Sequence, residues 1–400
     1  MEELNFLMCL WHLENVILVF YKEGKVQRSI YFDHAATTAV DEKVLMEMLP
    51  YFTVSYGNPS SAYEVGRRNK MAIENARKKV ANVINAKNKE IFFTGGGSES
   101  DNLALKGVIH ANKNSKKHII TTKIEHHAIS NSCKTLEEEG VEVTYLNVDK
   151  NGKINLQELE NSIKPYTVLI SVMTANNEIG TIEPIAEIGK IAKENKILFH
   201  TDAVQGIGNI KIDVQKMNID LLSMSAHKFY GPKGVGALYV REGVLFNPII
   251  DGGHQEKGKR AGTENVPGIV GLGKAIELAY KNIDEYNNQL KELRDYCINQ
   301  LKKNFNNIKI NGDMENRLSG NVNVSFIGQD SSELLLKLDE FGICTSAGSA
   351  CNTGVTTPSE VLMAIGLKEN EASGTLRFSF GKENTKEEID FLIEKLKEII

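Results

Sequence analysis

Two residues of this chain are placed to form covalent bonds with a substrate. Cys351 lies in Ser346-Ala347-Gly348-Ser349-Ala350-Cys351-Asn352-Thr353-Gly354, among residues too small to bury a thiol and between glycines that leave the backbone free. That setting suits a cysteine that must move, and an ordinary loop cysteine shares it. Lys228 ends Ser225-Ala226-His227-Lys228, directly after the apolar run Ile219-Asp220-Leu221-Leu222-Ser223-Met224. An ammonium at a buried strand end loses solvation, and a neutral lysine is a Schiff-base nucleophile. Asp202 follows Ile197-Leu198-Phe199-His200-Thr201 at another strand end, with Gln205 three residues on. A carboxylate there can face a pyridinium nitrogen, the charge that a pyridoxal phosphate site must stabilise. Taken singly, Asp202 also reads as a helix cap and Lys228 as a surface lysine. In Thr94-Gly95-Gly96-Gly97-Ser98-Glu99-Ser100, the amides around Gly97 and the Ser98 hydroxyl can hold a phosphate at a helix N-terminus, or form a turn capped by Ser98 or Ser100. His126 and His127 are adjacent, so their rings diverge, and no third metal ligand is spaced nearby. A flat imidazole stacked on a cofactor ring is the functional reading, and a solvated loop histidine is the alternative.

The elements that must hold these residues follow from the pattern. From Ile30 onward, apolar β-branched runs alternate with amphipathic helical stretches. Strands are predicted at 91–94, 118–122, 141–146, 168–174, 197–201 and 221–225, with helices at 98–108 and 185–194 and another ending near residue 140. Strands separated by helices imply a parallel or mixed sheet covered on both faces, with ligands gathered at the strand carboxyl ends. After the glycine-rich stretch 252–262, one long helix over 269–304, strands at 321–326 and 375–380, and a C-terminal helix over 386–400 predict a smaller α+β layer. The expected division is an extension over 1–29, a large domain over 30–265 whose first residues are shared with the small one, and a small domain over 266–400 carrying Cys351. The extension is apolar but interrupted by His12, Glu14 and Asn15. It is neither a good signal peptide nor a good membrane span, and it reads as a non-native leader or an added amphipathic helix.

Composition narrows the function classes. A net charge of -5 with 25% charged residues gives no basic footprint for nucleic acid, and no membrane association is expected. The five cysteines are odd in number, scattered and without a CxxC pair, which disfavours a disulfide framework and a zinc site. The chain reads as cytoplasmic, with reduced thiols. Cys344 reads as a core cysteine.

In order along the chain stand Tyr31-Phe32-Asp33-His34-Ala35-Ala36-Thr37-Thr38, Gly57-Asn58-Pro59-Ser60-Ser61, the loop at Gly95, and Glu125-His126-His127-Ala128. Then come Asn176-Asn177-Glu178-Ile179-Gly180, His200 to Gln205, Ser225 to Lys228, Arg260-Ala261-Gly262-Thr263-Glu264-Asn265 and Gly348 to Cys351. With these segments the chain resembles the pyridoxal phosphate-dependent cysteine desulfurases of the NifS/IscS type, in the class V aminotransferase family, over more than nine-tenths of its length. The resemblance implies an aminotransferase-type fold, pyridoxal phosphate fold type I, and a homodimer. It implies Lys228 as the cofactor-bearing lysine, Asp202 on the pyridine nitrogen, Gln205 on the ring hydroxyl and His126 stacked on the ring. Gly97, Ser98, Ser225 and His227 would hold the phosphate, with Thr263 reaching in from a partner subunit, and Asn177 and Arg377 would anchor the substrate carboxylate. Cys351, Lys228 and His126 are then catalytic. L-cysteine becomes L-alanine, and a persulfide on Cys351 supplies a sulfur-acceptor protein, for iron-sulfur clusters or other thio-cofactors. No intrinsic metal is implied, and a cluster shared with a scaffold partner would attach at Cys351.

This sequence departs from the family pattern at three places: Ser98 stands for threonine, and Tyr63 and Glu360 for histidines. A chain ending at Ile400 also lacks the longer tail with which IscS-type members engage a scaffold. The rival readings are a selenocysteine lyase or another class V aminotransferase, and a non-enzymatic sulfur carrier or scaffold. Cys351 discriminates against the first group, and the complete cofactor shell against the second.

Overall fold

Six of the predicted strands, joined by a seventh at Gly236–Val240, assemble into one mixed sheet. The computed structural model describes residues 29–347 and 359–400, so the extension ahead of them and Cys351 lie outside the described residues. The strands are β1 (Ile30–Tyr31), β2 (Ile91–Thr94), β3 (His118–Thr122), β4 (Glu142–Leu146), β5 (Thr167–Ser171), β6 (Leu198–Asp202), β7 (Leu221–Ser225), β8 (Gly236–Val240), β9 (Ile308–Ile310), β10 (Asn321–Phe326), β11 (Ile343–Cys344) and β12 (Thr375–Ser379). The large sheet has the order β2-β8-β7-β6-β5-β3-β4. Strands β3 to β7 pair in parallel, and β8 runs antiparallel to both β7 and β2. Because β8 is reversed against each neighbour, β2 points the same way as β7. The carboxyl ends of β2, β3, β5, β6 and β7 therefore share one edge, and every cofactor-shell segment except that of Thr263 follows one of these ends.

The strands are buried because helices cover both faces. β2, β3, β7 and β8 are buried at every position, as continuous apolar strands of a two-sided layer should be. The helix Ile185–Glu194 turns Ile185, Ile188, Ile191 and Ala192 inward, the 3.6-residue stripe of a helix packed on a sheet. One core lies beneath the helices Glu64–Val83 and Val266–Lys281, with Ile73, Ala76, Val80, Ile269 and Leu272 meeting Phe93, Ile170 and Met224. A second core joins Phe32, Leu290, Leu301, Val324, Phe378 and Leu392. It covers the antiparallel sheet β12-β10-β9 and the two-stranded parallel sheet β1-β11.

The single long helix expected over 269–304 is two helices, Val266–Lys281 and Ile283–Asn304. Asn282 breaks it at φ -127°, ψ 30°, as a weak helix former can. The first of the two packs in the large core and the second in the small one, so the chain changes core at Asn282, beyond the glycine-rich stretch.

That stretch is fixed by charge. The Arg77 guanidinium donates to both oxygens of Glu256, at 2.7 and 2.8 Å, and the Phe93 amide donates to Glu256 Oε2 at 3.0 Å. Both charged side chains are buried, and Glu256 is held in the left-handed region at φ 46°. Replacing Glu256 with alanine strands the Arg77 charge, and the expected loss is about 3–5 kcal/mol of stability in a denaturant melt. A melt superimposable on that of the parent would show that the pair carries no such weight.

Candidate active site

At the shared strand edge lies a cavity of about 230 Å³ lined by Gly97, Ser98, Asp101, His126, Asn177, Asp202, Gln205, Ser225, His227, Lys228 and Arg377, among others. Thus nearly every residue assigned to the site from sequence meets in one place. Two do not: Thr263 is exposed and away from the cavity, and Cys351 lies outside the described residues.

Each side chain arrives by a local cause. After β2 the chain turns at Gly96, at φ 152°, and starts the helix Gly97–Ala111. A Cβ on Gly97 would come within 2.7 Å of Val204 Cγ2, so only glycine lets this helix N-terminus press against the loop after β6. Its first amides face the cavity beside Ser225 and His227, a cradle for an anion. Asp202 is the last residue of β6, 6% exposed, with Oδ1 accepting from the Val204 amide at 2.9 Å. Lys228 follows β7 on a short 3-10 turn, and its Nζ donates to the Ala35 and Ala36 carbonyls at 2.6 and 2.8 Å. Gln205 Nε2 donates to the same Ala35 carbonyl at 2.9 Å. The segment after β1 thus lies across the site, and the Ala35 amide donates to Ser379 Oγ at 2.9 Å.

His126 caps the helix His127–Glu138, its Nδ1 accepting from the Ala128 amide at 3.1 Å. That bond assigns the ring proton of the neutral form to Nε2. Burial lowers His126 below the ordinary histidine range and the Lys228 charge adds to this, against the pull of Asp202. Burial raises Asp202, while His126 and Lys228 draw it back. His127 lines a separate small cleft with Glu178 and Glu360, which His126 also borders, and the two rings are tilted by 55° with centroids 6.3 Å apart.

The arginine that the sequence assigns to a substrate carboxylate is held between residues of both cores. Arg377, in the middle of β12, is 1% exposed. Its Nη2 donates to Asp33 Oδ1 at 2.6 Å and its Nη1 to the Asn177 carbonyl at 2.9 Å, while its Nε has no partner among the described residues. Asn176 shapes this corner by accepting from the Glu178 and Ile179 amides on Oδ1. The two ends of the segment carrying Cys351 are held by carboxylates beside the anchor. Ser346 Oγ donates to Asp33 Oδ2 at 2.8 Å, and Ser359 Oγ to Glu178 Oε2 at 2.5 Å.

Sequence reasoning missed Asp33 and Glu178 as anchors and Asp101 as a lining residue. The signal for Asp101 was its position three residues after Ser98, on the same helix face. Cys344, read as a core cysteine, is only half-buried in β11.

Glu125, buried beneath His126, accepts from the Met173 amide at 3.0 Å and from Thr122 Oγ1 at 2.8 Å. Burial pushes it up to about 8, so the folded chain keeps a proton there that the unfolded chain releases near the ordinary carboxylate value. Its contribution to stability is present at low pH and is lost as pH rises towards 8. Glu125→Gln removes that loss. The stability gap in favour of the variant is expected to widen by up to about 1.4 kcal/mol per pH unit between pH 5 and 8, and parallel melting curves across this range would contradict it.

Comparisons with known proteins agree with this geometry. The family described as "Aminotransferase class-V" matches residues 30–392. A cysteine desulfurase IscS of Clostridium botulinum is 55% identical over 94% of this chain and 95% of its own. A solved NifS-like protein is 41% identical over 93% of this chain and 99% of its own, with a TM-score of 0.87. Another structure, SspA in complex with cysteine, is also 41% identical, over 89% and 99%, with a TM-score of 0.76. The chain belongs to the aminotransferase class-V family, among its IscS- and NifS-like cysteine desulfurases.

Proposed function

We propose that the cavity holds pyridoxal phosphate and binds L-cysteine, and that the sulfur of cysteine leaves as a persulfide on Cys351. The observation that carries this is the convergence of a lysine, a buried aspartate, a capping histidine and a glycine-opened helix N-terminus on one cavity, with Arg377 at its side. The residues fit the group: Gly97 has no room for a side chain, so amides rather than atoms of a side chain face the phosphate, and Asp202 offers a buried anion to the ring nitrogen. Ser98, Ser225 and His227 complete the phosphate shell, and Gln205 and His126 attend the ring. When bound, pyridoxal phosphate supplies the electron sink that makes the Cα proton of the amino acid removable.

Lys228 takes up that proton from Cα, being at the end of a strand that opens into the cavity, and the His126 Nε2–H lies ready to return one. The buried Nε of Arg377 and the Asn177 side chain receive the substrate carboxylate, which fixes the sulfur relative to the mouth. From Ser346, five residues of chain reach at most about 17 Å to Cys351. The Cys351 thiolate attacks the substrate sulfur: a sulfur–sulfur bond forms, the carbon–sulfur bond breaks, its electron pair stays with the carbon, and a proton on Cβ completes alanine. Cysteine and one thiol thus become alanine and one persulfide, with no outside oxidant. The persulfide passes to an acceptor protein for iron-sulfur clusters or other thio-cofactors.

A homodimer completes the site in this reading. Thr263 sits on the surface, as a residue serving a neighbouring subunit must, and between Leu45 and Met71 the chain exposes Phe52, Val54, Tyr56 and Met71, each more than half accessible. Sedimentation is expected to give a dimer, and a fully active monomer would contradict it. No helix among the described residues is long and apolar enough to cross a membrane. The reading is tested by supplying pyridoxal phosphate and L-cysteine with a thiol reductant. Equal amounts of alanine and sulfide are expected, and cysteine turnover yielding pyruvate or a keto acid instead would favour a lyase or an aminotransferase.

A further inference from the structure

The reading above leaves one buried carboxyl of the cavity without a task. Asp101 projects from the first turns of the helix Gly97–Ala111, is 1% exposed, and among the described residues its Oδ1 has no hydrogen-bond partner, while the Ser223 hydroxyl lies close enough to act on its carboxyl. An oxygen of Asp101, a ring nitrogen of His126 and an oxygen of Asp202 all lie within 4.8 Å of one another.

The other charges around this pair decide where its proton resides. His200 Nε2 is 3.8 Å from Asp101 Oδ1. Burial holds His200 down at about 3, and its nitrogens are taken by Ser171 Oγ at 2.9 Å and Ser223 Oγ at 3.0 Å, so it is neutral and offers no positive charge. Glu125, on the other side, is protonated at neutral pH. His126 and Lys228 act on Asp202. Two carboxyls this close, both out of water, do not ionise together. Burial first and the Asp202 charge second push Asp101 well above the carboxylate range, against the Ser223 hydroxyl, which draws it back.

We propose that Asp101 is a positioning residue that acts through Asp202: it keeps the one proton of the buried pair, so that Asp202 alone presents a negative charge to the cofactor's ring nitrogen, with the Asp101 hydroxyl dipole turned to support it. This rests on the pyridoxal phosphate reading. Asp101 sits one helical turn behind the phosphate cradle, so one helix serves both ends of the cofactor.

The test uses the full chain. Binding of pyridoxal phosphate by the parent is measured first, by absorbance titration of the cofactor-free protein, and a parent that binds none sinks the cofactor reading, not this one. Asp101→Asn is neutral and keeps a donor, and Asp101→Leu keeps the shape without one. The asparagine variant is expected to match the parent in cofactor affinity and in the pH dependence of the visible band. The leucine variant is expected to bind about 10- to 100-fold more weakly, the usual cost of losing a hydrogen bond to a charged group, and to shift that pH dependence. If leucine impairs folding, as a thermal melt will show, Asp101→Ala takes its place. In the loaded parent, the infrared carbonyl absorption of protonated carboxylic acids, to which Glu125 also contributes, should lose one component in Asp101→Asn and keep that component in Glu125→Gln. An asparagine variant as damaged as the leucine one, a leucine variant with parental affinity and pH profile, or a carboxylic-acid absorption unchanged in Asp101→Asn would each overturn the proposal.

Discussion

Cys351→Ser is expected to abolish alanine formation from cysteine while leaving pyridoxal phosphate bound and its visible absorbance intact. The separation follows from what each part of the protein supplies. Every residue proposed to hold the cofactor, Thr263 apart, follows or ends a strand at the carboxyl edge of the large sheet, and Cys351 stands far from all of these segments in sequence. The serine hydroxyl is far less acidic and less nucleophilic than a thiol, and no base within the described site is assigned to it. The substrate carbon–sulfur bond then has no sulfur acceptor, and turnover should fall by at least about 10³-fold. The measurement is alanine release per cofactor under saturating cysteine, with an absorbance spectrum of the same sample. Retained alanine release would assign the sulfur chemistry to water or to another thiol, and would favour the lyase reading.

Lys228→Ala should be equally severe for a different reason. The proposed covalent link to the cofactor and the base for the Cα proton are the same amine, so its removal takes away both. A loss of at least about 10³-fold in alanine formation is expected, with a cofactor that now washes out on dialysis. The fold should survive, because the Ala35 and Ala36 carbonyls that accept from Nζ line a cavity where water can replace the amine. An added primary amine such as methylamine should restore part of the proton transfer, a rescue that a purely structural lysine would not show.

Much of this site was legible because chemistry and fold are written in the same short segments. A buried strand reads as an apolar run, and the residues that follow it fall at the ligand-binding edge without further information. Thus Asp202 at the end of Leu198–Asp202, and Lys228 after Leu221–Ser225, are placed by the sequence alone. The strand Gly236–Val240 was not anticipated. It begins with glycine and runs against its neighbours, and direction leaves no trace in periodicity. The break at Asn282 was hidden because apolar spacing continues through it while the chain passes from one core to the other. Arg77–Glu256 joins residues far apart in sequence, where neither looks buried by composition. Asp33 read as one letter of a motif, and its task of holding both Arg377 and Ser346 appears only when the segment after β1 bridges to the end of β12. Asp101 was equally hidden, since its environment is made by β6 and not by its own helix.

The central claim is that sulfur passes from cysteine to Cys351. The most direct measurement is mass spectrometry of the peptide containing Cys351 after the loaded protein has been given one equivalent of L-cysteine without reductant. The account predicts one added sulfur atom on Cys351, removed by a thiol reductant, together with one alanine released per site. Alanine released in full with Cys351 unmodified, or with the added sulfur on Cys344 alone, would contradict it.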